Sequence, residues 1–247
     1  MSSPDLPAAP VRSPFPDSDY PAAPYPGARP GFSFVHLDGV GRALTPDSSV
    51  PSGWRVSGDG PDGGCLDDWL AERGAAPMRG RQLVLAYGSN ACPSKITWLR
   101  TELGLSGPVV VLTARCTGLS AVWAAGLRVH DGQRPAVLVA APGVVEEHAL
   151  WFATPEQRRV LDRCEGRGVR YRLVHLHGDE RVRLADGSEP RRVLAYAAAG
   201  PQRAPLLVDG RPVRCLDVDQ LAARALLGTP SDGDGLVCTE ITGEPDW

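Results

Sequence analysis

Two stretches of the chain gather residue types that could do chemistry. Between Leu83 and Pro93 the sequence LVLAYGSNACP runs from an apolar segment through Tyr87-Gly88-Ser89-Asn90 toward a helix. A strand that turns at a glycine into a helix collects unpaired backbone N–H groups at one point, and such a point binds anions. Gly88 can take unusual backbone angles, and Ser89 and Asn90 add side-chain donors. Taken alone, the stretch reads more readily as an ordinary strand-to-helix turn. Ser89 is a poor candidate nucleophile, because G-S-N-A lacks the second glycine of G-x-S-x-G and no His/Asp partners follow it.

The second stretch lies about seventy residues further on, at Leu161-Asp162-Arg163-Cys164-Glu165-Gly166. If a helix ends at Gly166, Glu165 stands beside the unsatisfied carbonyls of the last turn, at the negative end of the helix dipole. That placement raises a carboxyl pKa, especially if the site is partly closed to water, which suits a group that accepts and then returns a proton near neutrality. By itself Glu165 reads more readily as a solvated glutamate before a glycine cap. His175 and His177 share a strand face, yet no third ligand stands at a metal-binding spacing and Asp179-Glu180 reads as a polar turn, so no metal is expected. Gly88 stands alone, without a Walker or dinucleotide pattern.

The elements that must position these residues follow from periodicity and turn chemistry. Leu83 to Tyr87 predicts a buried strand, ended by Gly88. A helix is expected from Ser94 to Leu103, with Pro93 before it, Ser94 as cap and Gly104 as stop. Short strands are expected at Val109 to Ala114, Leu119 to Trp123, Ala136 to Ala140 and His148 to Phe152. Thr154-Pro155-Glu156-Gln157 is a strong helix start, and that helix carries Val160, Leu161 and Cys164 inward. Arg170 to His177 alternates as a strand with Tyr171, Leu173, His175 and His177 on one face. Arg181 to Leu184 and Arg192 to Ala199 suggest a hairpin around Asp186-Gly187. Asp217 to Leu227 predicts an amphipathic helix with an Asp217/Gln220 capping pair. Many short strands and few helices, without βαβ alternation, indicate an α+β fold on a mixed sheet or barrel.

Around this compact part the composition changes. Residues 1–30 hold nine of the 24 prolines and read as a disordered or extended arm, with Tyr20-Pro21-Ala22-Ala23-Pro24 able to form polyproline II. Residues 31–80 read as an N-terminal extension and linker, in which Phe32 to Leu44 can dock as a strand or lid and Asp67 to Arg73 can form a short helix. The compact domain is expected over 81–230 and a loop-like tail over 231–247.

Composition excludes several classes of function. The 26 basic and 29 acidic residues are intermixed and sum to −3, which gives no electrostatic footprint for nucleic acid or anionic membrane. No apolar run is long enough to span a bilayer and the first residues lack a signal-peptide pattern, so a cytoplasmic location is expected. The six cysteines show no CxxC pair and read as free thiols.

Taken together, LAYGSN at 85–90 and VLDRCEG…VRYRLVHL at 160–176 resemble, in order and separation, the Y-G-S-N and L-D-x-x-E-G…Y signatures of the γ-glutamylcyclotransferase-like family. The resemblance covers roughly Arg81 to Leu227 and implies a mixed α+β barrel with a few flanking helices. It also implies a cyclotransferase activity of the acyltransferase or lyase type, as in glutathione metabolism, with no metal or organic cofactor. In that reaction the α-amine of a γ-glutamyl amide attacks its own γ-carbonyl, giving 5-oxoproline and a free amine. Carried over by position, Glu165 would be the acid/base, and Ala86, Tyr87, Gly88, Ser89 and Asn90 would hold the glutamyl end by its α-carboxylate or at the oxyanion. Tyr171 would be a supporting residue or plain core. A tyrosine used by some members near the last helix is replaced around Arg214-Cys215, and residues 1–80 lie outside the resemblance. Removal of a γ-glutamyl protecting group in a biosynthetic pathway, or a binding module without turnover, are the alternatives.

Overall fold

A computed structural model of the chain describes residues 12–58, 63–177 and 181–245. The head of the proline-rich arm, 1–11, and the Asp179-Glu180 turn lie outside the described residues. The N-terminal part contributes β1 (Phe15–Pro16), β2 (Phe34–Leu37), β3 (Val40–Pro46), β4 (Trp54–Val56), β5 (Gly64–Cys65) and α1 (Leu66–Ala71). The centre contributes β6 (Gln82–Ala86), α2 (Pro93–Leu103), β7 (Val109–Trp123), β8 (Ala136–Ala153), α3 (Pro155–Glu165) and β9 (Tyr171–Leu176). β10 (Arg181–Leu184), β11 (Val193–Ala198), β12 (Leu206–Val208), β13 (Arg211–Pro212), α4 (Gln220–Ala225), β14 (Thr229–Pro230) and β15 (Cys238–Glu240) follow.

The main sheet runs β15-β9-β11-β6-β8-β7-β2-β3-β4-β5, with β1 beside β3 and β10 beside β7, while β13-β12-β14 form a small second sheet. β6 and β11 are parallel and the other ladders antiparallel, so the fold is α+β on a mixed sheet. It is not a closed barrel. The outer edge of β7 is taken by β2 at Val109–Val111 and by β10 at Ala114–Thr117, which leaves no edge there for closure. Both faces are covered. Along β6, Val84 and Ala86 enter one apolar cluster while Leu85 and the following Tyr87 enter the other, which explains the continuously apolar run.

Local signals hold where side chain and backbone agree. Thr154 and Gln157 form a reciprocal capping box at the start of α3, and Gly104 and Gly166 adopt left-handed backbone at the ends of α2 and α3. The expected Ser94 cap is not one: α2 begins at Pro93, and the Ser94 hydroxyl donates to the Asp17 carbonyl at 2.8 Å. The four short strands are instead two long ones, β7 and β8, because Gly118 is absorbed in a register shift between Thr117 and Leu119 rather than ending a strand. Asp186-Gly187 does turn the chain, but no hairpin results, since β10 pairs with β7 and β11 with β6 and β9. α4 is shorter than expected and its cap is Asp219, whose carboxylate accepts from Ala222 N at 2.8 Å. The tail is not all loop, as β15 extends the sheet beside β9.

The proline-rich segment from residue 12 onward packs on the sheet. Phe15 is 2% exposed against Phe34, Phe32 and Tyr20, and Tyr25 is buried in the other cluster. All six cysteines are free thiols, and among the described residues no helix is long and apolar enough to cross a membrane.

The seat of Phe15 generates a prediction. A Cβ at Gly41 would fall 2.1 Å from Phe15 Cζ, so Gly41→Val must displace the ring. Exposing a phenylalanine costs about 2 kcal/mol, roughly a thirtyfold shift in the docking equilibrium. Limited proteolysis within residues 12–30 is expected to accelerate by that order, and unchanged cleavage would show that the arm is held elsewhere.

Candidate functional site

Glu165 is the last residue of α3 and Asn90 lies in the short 3-10 turn Ser89–Ala91 that leaves β6. The two meet: Asn90 Nδ2 donates to Glu165 Oε1 at 2.7 Å across 75 residues of sequence. Asn90 is itself held by Trp151 on β8, whose indole Nε1 donates to the Asn90 carbonyl at 2.9 Å. The side-chain oxygen of Asn90 is buried without a partner among the described residues. A group of that kind usually finds one when a ligand or water arrives.

Glu165 is half-buried as a residue, but its carboxyl end is enclosed by protein. Burial is the largest influence on it and pushes its pKa up, while the Asn90 hydrogen bond and the charges of Lys95, Arg170 and Arg203 pull it down without cancelling the rise. Of the two expected causes, closure to water is the larger and the helix dipole is blunted: the carbonyls of the last turn are covered, since Arg170 donates to those of Cys164 at 2.7 Å and Glu165 at 3.1 Å. Lys95, the sole lysine, lies over the Trp98 ring at 3.2 Å from its centroid, and its pKa is lowered chiefly by burial. Burial and three opposing cations thus set the protonation of the one carboxylate that meets the turn after β6.

The other expected site residues divide. Ala86 is buried in β6 opposite Ala149 and offers backbone only. Tyr87 donates its hydroxyl to the Tyr196 carbonyl, so it forms a wall rather than a donor; burial drives its pKa well up. Gly88 has φ −112°, which does not demand glycine. Its need is close approach, as a Cβ there would fall 2.7 Å from the Tyr25 hydroxyl. Among the described residues, no acceptor pairs with the N–H groups of Gly88, Ser89 and Asn90. Tyr171 is 6% exposed and donates its hydroxyl to the Ala136 carbonyl at 3.2 Å, so it supports the site from the core.

His175 and His177 stack edge to face at 4.2 Å, with His177 Nε2 2.7 Å from Thr239 Oγ1, and the described residues contain no group of three metal-ligating side chains. Sequence reasoning missed Tyr25. It comes from the proline-rich arm, accepts at its hydroxyl from Ala136 N at 3.0 Å, and faces Gly88. Its pKa is pushed above the usual tyrosine range, mainly by burial and in part by Glu165. No spacing rule connects residue 25 with residue 88; the only signal was an aromatic residue in a segment otherwise too polar and proline-rich for a core.

No family model matches the sequence, and no curated protein matches it. Solved structures that resemble the chain include an uncharacterized protein from Homo sapiens, at 18% identity and a TM-score of 0.41, over 51% of this chain and 72% of that one. A γ-glutamyl cyclotransferase aligns at 18% identity and a TM-score of 0.40, over 50% of this chain and 70% of that one.

The raised pKa of Glu165 has a sign that can be checked. The folded carboxyl holds its proton more tightly than the unfolded one, so ionisation costs the native state stability as pH rises through the unfolded and then the folded pKa. Above both values the cost is complete; below both it vanishes. Glu165→Gln keeps an oxygen for Asn90 and removes the charge. It is expected to raise the melting temperature at pH 8 and to lose that advantage at pH 3.5, and a pH-independent difference would contradict a buried, shifted carboxyl.

Proposed function

We propose that this chain is a γ-glutamyl cyclotransferase-type enzyme that cleaves a small γ-glutamyl amide to 5-oxoproline and a free amine. The observation that carries the reading is the enclosed Glu165 carboxylate, hydrogen-bonded by Asn90, at the mouth of a turn whose N–H groups are free. A buried acid/base beside fixed donors is what an intramolecular aminolysis needs, and a site for binding an anion alone gains nothing from a buried carboxylate.

The α-ammonium is no nucleophile until it loses a proton, and Glu165 takes that proton. The amine nitrogen then forms a bond to the γ-carbon, and negative charge gathers on the former carbonyl oxygen. Backbone N–H groups of the 88–90 turn stabilise that oxygen, a contribution of about 3 kcal/mol for one well-aimed donor. Collapse restores the carbonyl and breaks the original C–N bond as Glu165 gives its proton to the leaving nitrogen; the ring nitrogen sheds its second proton to the carboxylate so regenerated, which passes it to the released amine, and that amine departs as an ammonium. Atoms and charge balance without water, metal or organic cofactor. Enclosure by the Tyr87, Tyr171 and Tyr25 rings favours the folded chain conformer that brings nitrogen to carbon, since positioning is a large share of a ring closure.

Glu165→Gln is expected to slow 5-oxoproline release from a panel of γ-glutamyl amides by about 10² to 10⁴, measured by mass spectrometry. Activity near the wild-type level in this variant would sink the mechanism, and ligand binding without product from any amide would favour a binding module. The Asn90 hydrogen bond lowers the pKa of Glu165, so Asn90→Ala should move the acid limb of kcat/KM to higher pH. A limb that stays in place or moves to lower pH would assign it to another group.

A further inference from the structure

Among the described residues four arginines are buried, and three of them have evident work in the fold. Arg81 donates to the carbonyls of Ala76, Pro108 and Phe152. Arg134 donates to those of Ala124, Ala125, Ala223 and Leu226, and Arg158 pairs with Asp162 and Glu244. Arg203 differs. It is 8% exposed, yet among the described residues none of its guanidinium nitrogens meets an acceptor, its Nε is shut from solvent without a partner, and no carboxylate lies within ion-pair distance.

Its position is fixed. Arg203 ends the 3-10 turn Pro201–Arg203, anchored by Gly126 N to the Gln202 carbonyl at 3.0 Å and Ala125 N to the Ala204 carbonyl at 2.8 Å. The guanidinium carbon lies 5.7 Å from the centroid of Tyr171, and both Glu165 and Tyr171 feel its charge. A buried guanidinium without a counter-charge is costly to the free protein, and its planar fork matches a carboxylate.

We propose that Arg203 receives the α-carboxylate of the glutamyl unit, which leaves the N–H groups of Gly88, Ser89 and Asn90 for the γ-carbonyl oxygen. The inference rests on the cyclotransferase reading above. In a glutamyl unit the α-carboxylate and the α-nitrogen share one carbon, so the receptor for the anion must stand close to the base that deprotonates the amine. Arg203 is near enough to Glu165 to influence it and far enough to form no ion pair with it, so the fork stays open. Asn90 and Arg203 then divide the work: one orients the base, the other fixes the anion whose neighbouring nitrogen the base must reach.

The test uses the full chain and two probes, 5-oxoproline and its carboxamide, titrated calorimetrically. Wild type is expected to bind the acid at least thirtyfold more tightly than the carboxamide. Arg203→Met is expected to abolish that preference by weakening the acid alone, with Arg203→Lys intermediate. In turnover of a γ-glutamyl amide, Arg203→Met should raise KM by a similar factor and change kcat far less. Arg203→Met should also melt no lower than wild type without ligand, because it removes an unpaired buried charge. Wild type that binds acid and carboxamide equally would overturn the proposal whether or not any variant folds. So would an Arg203→Met protein that keeps the preference, or one that weakens both probes equally while melting lower, the mark of a structural arginine. Loss of turnover in Glu165→Gln with the preference unchanged in Arg203→Met removes the role of Arg203 alone. Turnover that survives Glu165→Gln while Arg203→Met loses the preference removes the acid–base reading and leaves the carboxylate site standing.

Discussion

The hydrogen bond from Asn90 Nδ2 to Glu165 Oε1 is the interaction on which the rest of the site depends. It ties the end of β6 to the end of α3, and each of those ends is fixed by something else. β6 is flanked by β8 on one side and β11 on the other, so the point where the chain leaves it cannot drift. α3 starts at its capping box and closes at Gly166, so its last side chain is set to within one residue. Between them, Trp151 holds the Asn90 backbone from the neighbouring strand. A loop residue and a helix end 75 positions apart become a pair because one sheet specifies both.

The second constraint is the exclusion of water, and here the segment before residue 31 takes part. Tyr25 closes against Gly88, its backbone accepts from Gln220 on α4, and its ring packs near Trp123. The Ser94 hydroxyl and the Cys92 thiol bind the carbonyls of Asp17 and Tyr20, so two groups that precede and open α2 are spent on holding the arm. Burial is what raises the pKa of Glu165, and the arm brings Tyr25 close enough to feel the charge of that carboxylate.

What the sequence revealed was local. The Thr154/Gln157 box, the glycine stops and the strand before Gly88 rest on interactions within a few residues, where composition and geometry are the same statement. What it concealed was pairing. Gly118 reads as a break, yet in β7 it sits in a bulge whose long partner β8 carries the ladder past it. The arginine–alanine–leucine stretch after Gly41 gives no hint that β3 faces a phenylalanine from the arm. Arg203 was invisible for the same reason: an arginine after Pro-Gln looks like any surface turn, and only its enclosure beside Tyr171 sets it apart.

α3 shows how environment rather than residue type assigns a role. Asp162 and Glu165 are both carboxylates, three positions apart on one helix. Asp162 is saturated: Arg158 and Arg167 bind Oδ2, and the Tyr196 hydroxyl donates to Oδ1 at 2.7 Å. These three contacts make that carboxylate a structural anchor, locking α3 to β11 and, through Arg158, to the Glu244 segment. Glu165 accepts one side-chain hydrogen bond, and its nearest cations stop short of pairing. Its other oxygen accepts no side-chain hydrogen bond among the described residues, and burial favours its protonated form. The aspartate and glutamate of Leu161-Asp162-Arg163-Cys164-Glu165-Gly166 therefore differ by what surrounds them: the first is tied into the fold on both oxygens, and the second meets one donor, Asn90, at the end of the helix that the first holds in place.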